Sequence, residues 1–317
     1  MVNNLLLLLT AAIWGFAFVA QRVGMEHWGP FLFNSIRFAL GALSLIPLWL
    51  CYSRSENSSL TVKDRAPQAA PSDTPVNSWL TRLTLLRGWL VQAGSLKAGV
   101  FLGLFLLGGA SFQQVGIQYT TAGKAGFITG LYVVLVPILG SFFGTFSSKN
   151  RWIGAFSTAA GLYLLSVTAQ FTINRGDLLV FFSAFFFTLH VLYLSWVSPY
   201  HSPILLSLLQ YAVVSLGSLV FSFFHEEIYL TFTLSAWLPI LYGGIFSVGI
   251  AYSLQVVAQK KAHPTHAAIL LSMEGLFAAL GGALLLEERL TVREMVGALL
   301  MLAGMLLSQW TPSAKEK

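Results

Sequence analysis

Two charged side chains stand inside long apolar stretches of the sequence, where charges are rare. Arg37 lies seven residues inside a predicted helix that begins at Pro30, and Glu274 lies twelve residues from the outer end of the predicted helix 266–286. At a rise of 1.5 Å per residue these depths are about 10 Å and 18 Å, so an extended arginine could reach the carboxylate. A charge at such a depth in a bilayer costs about 2.5–3.5 kcal/mol and therefore indicates function.

These two charges suggest several kinds of chemistry. Arg37 can bind a carboxylate, and Glu274 can bind a cationic group or carry a proton, which together suit a zwitterionic solute. Glu274 is therefore also the candidate for proton coupling. The alternative is a buried ion pair between the two residues that stabilises packing and contacts no solute.

Polar and aromatic residues on other apolar stretches could complete a solute-binding cavity. Three pairs are spaced so that both members share one helical face: Gln114 and Gln118, His190 and Tyr193, and Tyr252 and Gln255. The predicted cavity residues are Trp14, Arg37, Gln114, Gln118, His190, Tyr193, Gln210, Tyr252 and Glu274. For the aromatic residues and the histidine, packing inside the protein or a place at the membrane interface is the commoner role.

Motifs of enzymes and metal sites are incomplete in this chain. Gly123-Lys124 resembles the end of a phosphate-binding loop, but Ala125 stands where a serine or threonine must follow. His263 and His266 have no third ligand nearby. Glu287-Glu288 is predicted to be solvated or to cap the following turn. We therefore expect no catalytic residue, no metal and no cofactor, and a single cysteine excludes an internal disulfide.

The composition indicates an all-α membrane protein. Hydrophobic residues make up 56% and charged residues only 9% of the 317 residues, and the mean hydropathy is +0.73. Soluble domains carry about 25% charged residues. About 20 apolar residues cross the hydrocarbon core of a bilayer. The stretches without charges predict ten transmembrane helices near residues 4–23, 30–52, 97–117, 123–146, 151–169, 177–196, 203–224, 235–257, 266–286 and 292–310.

The distribution of positive charges predicts the orientation. With ten spans both ends of the chain lie on one side, which collects twelve Lys and Arg residues against five on the other. The basic side faces the cytoplasm, so both termini are predicted to be cytoplasmic in the inner membrane of the cell. Because this topology accounts for the basic excess, nucleic-acid binding is not expected. The expected partners are a small-molecule solute and the lipid bilayer, and a homodimer is left open.

The segment 53–95 is the one long polar excursion. Its first part, with Pro67, Pro71 and Pro75, has the composition of a disordered linker. Its second part, around 79–90, is predicted either as a short interfacial helix or as a flexible tether. We interpret the whole segment as a cytoplasmic loop.

The two halves of the chain resemble each other. An offset of 173 residues places Asn4-Leu5-Leu6 on Asp177-Leu178-Leu179, Pro30 on Pro203 and Arg37 on Gln210, and an offset of 143 places Gly154 on Gly297 and Gly161 on Gly304. Glu274 then corresponds to Leu131, or to Tyr132 if the frame slips by one. Five helices per repeat is an odd number, so the repeats enter the membrane from opposite sides, an architecture common among secondary transporters. The predicted units are 1–170, 171–311 and a cytoplasmic tail, 312–317.

Several stretches also resemble the EamA family of the drug/metabolite transporter superfamily. They are Ala11-Ala12-Ile13-Trp14-Gly15-Phe16-Ala17, Asn34-Ser35-Ile36-Arg37-Phe38, Tyr119-Thr120-Thr121-Ala122-Gly123-Lys124-Ala125 and Leu286-Glu287-Glu288-Arg289-Leu290-Thr291. The chain differs from the family in its long 53–95 loop and in 144–147, where the family often has a glutamate. The resemblance implies ten helices and export of amino acids, other metabolites or drugs.

The sequence thus predicts a secondary membrane transporter, an exporter of small organic metabolites that works by alternating access. Proton antiport through Glu274 and facilitated diffusion are both open as the energy source. A membrane-embedded enzyme acting on a lipid-soluble substrate is the main alternative, and it would need polar residues clustered near one interface. A sensor or assembly protein without transport is a third.

Overall fold

The computed structural model describes residues 2–63, 76–142, 149–166, 173–228, 232–260, 262 and 264–309, and no β-strand occurs among them. The α-helices are α1 (Val2–Gly24), α2 (Pro30–Lys63), α3 (Val76–Gly116), α4 (Ala122–Thr129), α5 (Tyr132–Phe142), α6 (Lys149–Ser166), α7 (Arg175–Val197), α8 (Pro203–His225), α9 (Leu234–Leu241), α10 (Ser253–Gln259), α11 (Pro264–Ser272), α12 (Glu274–Leu285) and α13 (Val292–Gln309). A π-helical segment, Tyr242–Tyr252, joins α9 to α10, and a 3₁₀ turn, Ser198–Tyr200, follows α7.

Eight stretches of the described residues are long and apolar enough to cross a membrane, which confirms an all-helical, multi-span protein. The outer surface of the bundle is strongly apolar as well. Phe156, Phe223 and Phe224 are 72–73% exposed, as expected for side chains that face lipid. α6 and α13, which are not among the eight, are helices of 18 residues each.

The segment 53–95 is more helical than its composition predicts. α2 continues to Lys63, and α3 begins at Val76, so the residues around 79–90 belong to one 41-residue helix instead of a separate short one. The three prolines that indicated a linker lie in 64–75, outside the described residues. Proline disrupts a helix interior because it lacks an N–H donor. Polar residues such as those of 53–63 keep that donor, so a helix can continue through them.

Two predicted helices are interrupted at their centres. The stretch predicted as 123–146 consists of α4 and α5, separated at Gly130 and Leu131, and the stretch predicted as 266–286 consists of α11 and α12, separated at Met273. Pro137 lies inside α5, beyond the first interruption. Discontinuous helices at membrane depth are found where backbone lines a cavity or is buried in protein.

The helix predicted as 235–257 contains the eleven-residue π segment. Side chains of α1 bond to backbone carbonyls in and next to it. Trp14 Nε1 donates to Ser247 O at 3.1 Å, and Thr10 Oγ1 donates to Ala251 O at 3.4 Å. In the opposite direction the Tyr242 hydroxyl donates to Ile13 O at 3.0 Å. The wider turn of a π-helix is common at functional sites, and here it is held against α1.

Glycine sets the close packing of α6 against α13. A Cβ atom on Gly161 would lie 2.5 Å from the carbonyl oxygen of Gly297, and one on Gly304 would lie 2.6 Å from that of Gly154. No side chain fits at either distance, so the two backbones touch directly. The contacts cross, because the earlier glycine of α6 meets the later glycine of α13, and the two helices are therefore antiparallel.

Candidate functional site

A narrow cavity lies at the centre of the bundle, with a volume of about 30 Å³. It is lined by Trp14, Phe18, Gln21, Arg37, Gln113, Thr129, Tyr132, Phe187, His190, Val191, Ser247, Tyr252, Gln255, Leu271 and Glu274. Both charges that the sequence singled out line this cavity. The interruption between α11 and α12 places Glu274 at the first position of α12, and the interruption between α4 and α5 places Tyr132 at the first position of α5.

Arg37 is buried, with 3% of its surface exposed, and its guanidinium is held along one edge. Nε donates to Asn34 Oδ1 at 2.9 Å, and Asn34 Nδ2 in turn donates to the carbonyl oxygen of Ala110 on α3 at 3.0 Å. The guanidinium carbon lies 5.7 Å from the ring centre of Phe33 and 5.1 Å from that of Phe38. These contacts leave the two terminal nitrogens without a hydrogen-bond partner among the described residues.

The predicted ion pair between Arg37 and Glu274 does not form. Both residues line the cavity, but their charged atoms are not within 4.0 Å of each other. Arg37 is directed by Asn34 and the two rings, and Glu274 is 3% exposed with no hydrogen-bond partner for Oε1. The cavity therefore contains a cationic and an anionic group that are both directed into it and separated from each other.

Other polar atoms without partners line the same cavity as Glu274 Oε1. Gln21 Oε1, Gln255 Oε1 and the Tyr132 hydroxyl are also buried without a partner among the described residues. Gln113 is already satisfied, because its Nε2 donates to Thr129 Oγ1 at 3.1 Å. Buried polar groups that lack partners are few in folded proteins, and here four of them surround one cavity.

Aromatic side chains close the cavity walls. The rings of Trp14 and Tyr252 have centres 4.5 Å apart, and Tyr252 also contacts the rings of Phe38 and His190. Trp14 and Tyr252, both predicted cavity residues, are thus part of the lining. They are also packing residues, fixed by one another and by the π segment.

His190 lines the cavity, and Gln210 lies one layer behind it. His190 Nε2 and Gln210 Oε1 are 2.8 Å apart, so the imidazole carries its proton on Nε2 and donates it to the amide. Gln210, predicted as a lining residue, instead positions the histidine. Its repeat counterpart Arg37 lines the cavity itself.

Three further predicted residues lie elsewhere. Gln114 is fully buried behind α1, where its Nε2 donates to Gln21 O at 3.4 Å and to Met25 Sδ at 3.2 Å. Gln118 lies in a surface groove with Arg22. Tyr193 packs against Phe101, Phe105 and Trp196. The spacing showed which residues share a helical face, but not which face points inward.

Most of the cavity lining consists of residues that the internal repeat relates. The offset of 173 pairs Trp14 with Phe187 and Phe18 with Val191, and an offset of 142 pairs Gln113 with Gln255, Thr129 with Leu271 and Tyr132 with Glu274. All ten line the cavity. Tyr132, which composition alone did not single out, could have been found from this offset, whereas Leu131 lies in an apolar surface groove.

One end of the bundle is joined by carboxylates that contact helix N-termini. Glu288 accepts hydrogen bonds from the backbone N–H groups of Ala122 at 2.8 Å and Gly123 at 3.1 Å, at the start of α4. Glu226, after α8, accepts from those of Phe31 at 2.6 Å and Leu32 at 2.9 Å, near the start of α2. We call this end of the bundle the Glu288 end. The carboxylates satisfy free N–H donors and face the positive end of each helix dipole.

The prediction that Glu288 is solvated or caps the following turn was therefore wrong, because its carboxylate caps α4, a helix distant in the sequence. Its neighbour Glu287 has a φ angle of 54°, the left-handed region that is unfavourable for residues with a side chain. This turn sends Glu288 N–H back to Gly282 O at 3.0 Å and directs the carboxylate toward α4. Strain of this kind persists when surrounding contacts fix it.

Two more contacts cross between the halves at the Glu288 end. Lys124 Nζ lies 2.5 Å from Glu294 Oε1, and Glu294 Oε2 also accepts from Thr291 N at 2.7 Å in a capping box at the start of α13. Thr120 Oγ1 donates to Asp177 Oδ1 at 2.5 Å. The bonds of Glu288 and Glu226 to helix N-termini, the Lys124–Glu294 ion pair and the Thr120–Asp177 bond all join a residue before 170 to one after it.

Metal ligation finds no support among the described residues, where no group of three or more His, Cys, Asp and Glu side chains could hold an ion. His263 and the side chain of His266 lie outside them.

Comparison with known proteins decides the family. The model of the EamA-like transporter family matches the chain twice, over residues 1–167 and 174–310. The chain belongs to this family. A protein of Archaeoglobus fulgidus named as an uncharacterized transporter is 30% identical over 95% of this EamA-like chain and 83% of its own length.

Further relatives of this EamA-like protein have related names. The uncharacterized transporter YoaV of Bacillus subtilis is 22% identical over 96% of the chain and 95% of its own length, and a WAT1-related chloroplastic protein of Arabidopsis thaliana is 24% identical over 93% of the chain and 66% of its own length. A crystal structure with 16% identity aligns over 98% of both chains with a TM-score of 0.66, which shows the shared fold. The protein is a multi-span membrane transporter of the EamA-like family.

Proposed function

We propose that this protein is a secondary transporter that exports small organic solutes by alternating access, with the central cavity as its binding site. Amino acids, related amphipathic metabolites and drugs are the expected cargo. The observation that carries the proposal is the cavity itself, where a buried cation, a buried carboxylate and unpartnered amides meet between the halves. Ionisable residues at membrane depth are expensive and mark solute or ion pathways.

A ten-helix, inverted-repeat architecture is part of this proposal. α6 and α13 correspond under the offset of 143, and their glycine contacts cross in the manner of two surfaces related by a twofold axis. The interruptions at Leu131 and Met273 also correspond, under the offset of 142. A twofold axis between antiparallel helices lies in the membrane plane, as inverted repeats require. The two repeats are 1–170 and 171–311, and the tail 312–317 lies outside the described residues.

The contrast between the cavity and the Glu288 end supports alternating access as part of the proposal. A volume of about 30 Å³ holds a few water molecules, whereas pockets for small molecules have about 300–1,000 Å³. The cavity must therefore widen when it binds solute. The carboxylate bonds from Glu288 and Glu226 join the halves at one end, and breaking them would open the cavity toward that side.

The Glu288 end is proposed to face away from the cytoplasm, with both termini inside and the protein in the inner membrane. The support is the excess of Lys and Arg on the side of the termini. In a Cys51-free background, cysteine in place of exposed Arg289 should react with an impermeant thiol reagent outside intact cells. Protection of that cysteine, together with reaction of one at Tyr200, would reverse the orientation.

Transport without ATP, with Glu274 as the proton-carrying group, completes the mechanism. Glu274 can exchange a proton with whichever side the cavity faces, and net export would then be driven by an inward proton gradient. Facilitated diffusion would not need this carboxylate.

A solute screen tests the proposal. Purified protein in proteoliposomes should exchange at least one radiolabelled amino acid, organic amine, organic acid or cationic drug across the membrane. Arg37→Gln, which copies the repeat partner Gln210, should insert normally but exchange that solute more slowly. Absence of exchange for all four solute classes by protein that is folded and inserted would refute transport.

A further inference from the structure

The Arg37 guanidinium is a buried cation without a counter-ion. No carboxylate among the described residues lies within 4.0 Å of it, and only Nε is used in a hydrogen bond. The side chain is confined as well, because the rings of Phe33 and Phe38 lie near the guanidinium and a Cβ atom on Gly243 would lie 3.4 Å from Arg37 Cδ. A buried charge that remains unpaired is strongly unfavourable, so this arrangement is complete only when an anion enters the cavity.

Asn34 determines which edge of the guanidinium is free. Its amide bridges two partners, donating to the Ala110 carbonyl and accepting from Arg37 Nε. If the Asn34 amide were rotated by 180°, its NH₂ group would face the Arg37 Nε–H donor and its oxygen would face the Ala110 carbonyl oxygen. The two neighbours therefore fix the orientation of the amide. Because Nε is bound to Asn34, the two terminal nitrogens form the remaining edge, and that edge can bind two oxygens of one planar group.

We propose that Arg37 is a subsite for the carboxylate of the transported solute, and that Asn34 is the positioning residue that directs the guanidinium to it. This inference rests on the proposed function, because it assigns the solute class of the same cavity. The same cavity also holds Glu274 Oε1, Gln21 Oε1 and Gln255 Oε1, all acceptors without partners among the described residues. These atoms bind the hydrogen-bond donors of the same solute, such as an ammonium group.

These acceptor oxygens disfavour phosphate as the bound anion. Phosphate and carboxylate both fit the two terminal nitrogens of an arginine. A phosphate group carries more charge and more acceptor oxygens, which would share a narrow cavity with the Glu274 carboxyl and the two amide oxygens. A monoanionic carboxylate with donor groups at its other end matches both the guanidinium and these acceptors.

The direct test is Asn34→Asp, which places a permanent carboxylate beside Arg37. The new carboxylate can still accept from Nε, but it neutralises the guanidinium and competes with the carboxylate of the solute. The probes are the twenty common L-amino acids, their carboxamides and inorganic phosphate, measured by thermal stabilisation of the purified protein and by exchange in proteoliposomes. Asn174→Asp is the matched control, because Asn174 caps α7 far from the cavity and aspartate caps equally well.

We expect wild-type protein and Asn174→Asp to prefer at least one amino acid over its amide by about tenfold or more, and Asn34→Asp to lose that preference. Arg37→Lys keeps the charge but not the paired donors, so KM for the amino acid should rise while kcat changes little. This variant keeps the test decisive if Asn34→Asp fails to fold.

Three results would overturn the assignment: equal binding of amino acids and amides by the wild type, stronger stabilisation by phosphate than by any amino acid, or an unchanged preference in both Asn34→Asp and Arg37→Lys. Failure of the proposed function is distinct from these, since in that case no solute class in the wider screen is exchanged at all. If the protein exchanges solutes equally well with and without a carboxylate, the carboxylate subsite is refuted but the transport function is not.

Discussion

At the scale of single residues, the repeat makes the unusual positions visible. Tyr132 and Glu274 correspond under the offset of 142 and both line the cavity at the start of a helix. The phenol keeps its proton at physiological pH, whereas the carboxyl group of Glu274 can gain and lose one. Arg37 and Gln210 differ in a similar way. The two charges are thus departures from the twofold pattern, which favours a role that the fold itself does not require.

Glu274→Gln tests the role of the carboxylate. The amide keeps the shape and a hydrogen-bonding oxygen but cannot gain or lose a proton, so accumulation driven by a pH gradient should fall to the level of protein-free vesicles. Solute exchange at equal pH on both sides should continue. Tyr132→Phe is the companion variant, since it removes a hydroxyl near Glu274 but keeps the carboxyl group, so accumulation driven by a pH gradient should remain above the level of protein-free vesicles. Full pH-driven accumulation by the Gln variant would exclude Glu274 from coupling.

The sequence identified Arg37 and Glu274 because a charge in an apolar stretch needs no further context. It could not show that they stay apart, because the direction of Arg37 depends on Asn34 and on Ala110 in another helix. Gln114 and Tyr193 were misplaced for a different reason. Membrane helices are apolar on all sides, so periodicity does not distinguish the cavity face from a face buried against a neighbouring helix.

At the scale of helices, the main features are the interrupted spans and the contacts at the Glu288 end. Hydropathy predicted the positions of the helices well, but it treats a continuous helix and an interrupted one alike. At the breaks, Leu131 N–H and Met273 N–H donate to the carbonyl oxygens three residues earlier, Ile128 O and Leu270 O. The π segment is instead contacted from another helix, where Trp14 Nε1 donates to Ser247 O, and hydropathy records neither feature.

Removal of the Glu288 carboxylate should favour the state that is open at the Glu288 end. Losing bonds that cap a helix costs about 0.5–2 kcal/mol, which corresponds to a shift of roughly two- to thirtyfold between two states. In Glu288→Ala, a cysteine at Ser247 in the cavity should therefore react faster with an impermeant thiol reagent added at that side.

Glu287→Ala serves as the control for this experiment. It changes the neighbouring, exposed carboxylate while keeping a side chain at the position with a φ angle of 54°. Its labelling rate should match that of the unmodified background. Equal rates for Glu288→Ala and Glu287→Ala would show that the carboxylate does not hold this end closed.

At the scale of the whole molecule, each half of the chain matches the same family model, and the cavity is lined by residues of both halves. Composition alone predicted a membrane protein, and the resemblance to EamA proteins predicted the family that the comparisons show. Cargo selectivity is a different matter. It depends on a few side chains around a cavity whose walls come from distant parts of the chain.

The central claim is that this one cavity is exposed to each side of the membrane in turn and holds the solute. Labelling of a cysteine at Ser247, in a Cys51-free background, tests it most directly, because Ser247 is 2% exposed and lines the cavity. The account predicts reaction with an impermeant reagent both from outside intact cells and from the cytoplasmic side in inverted vesicles, with a transported solute slowing both. Reaction from only one side, or no protection by a solute that the protein demonstrably exchanges, would contradict it.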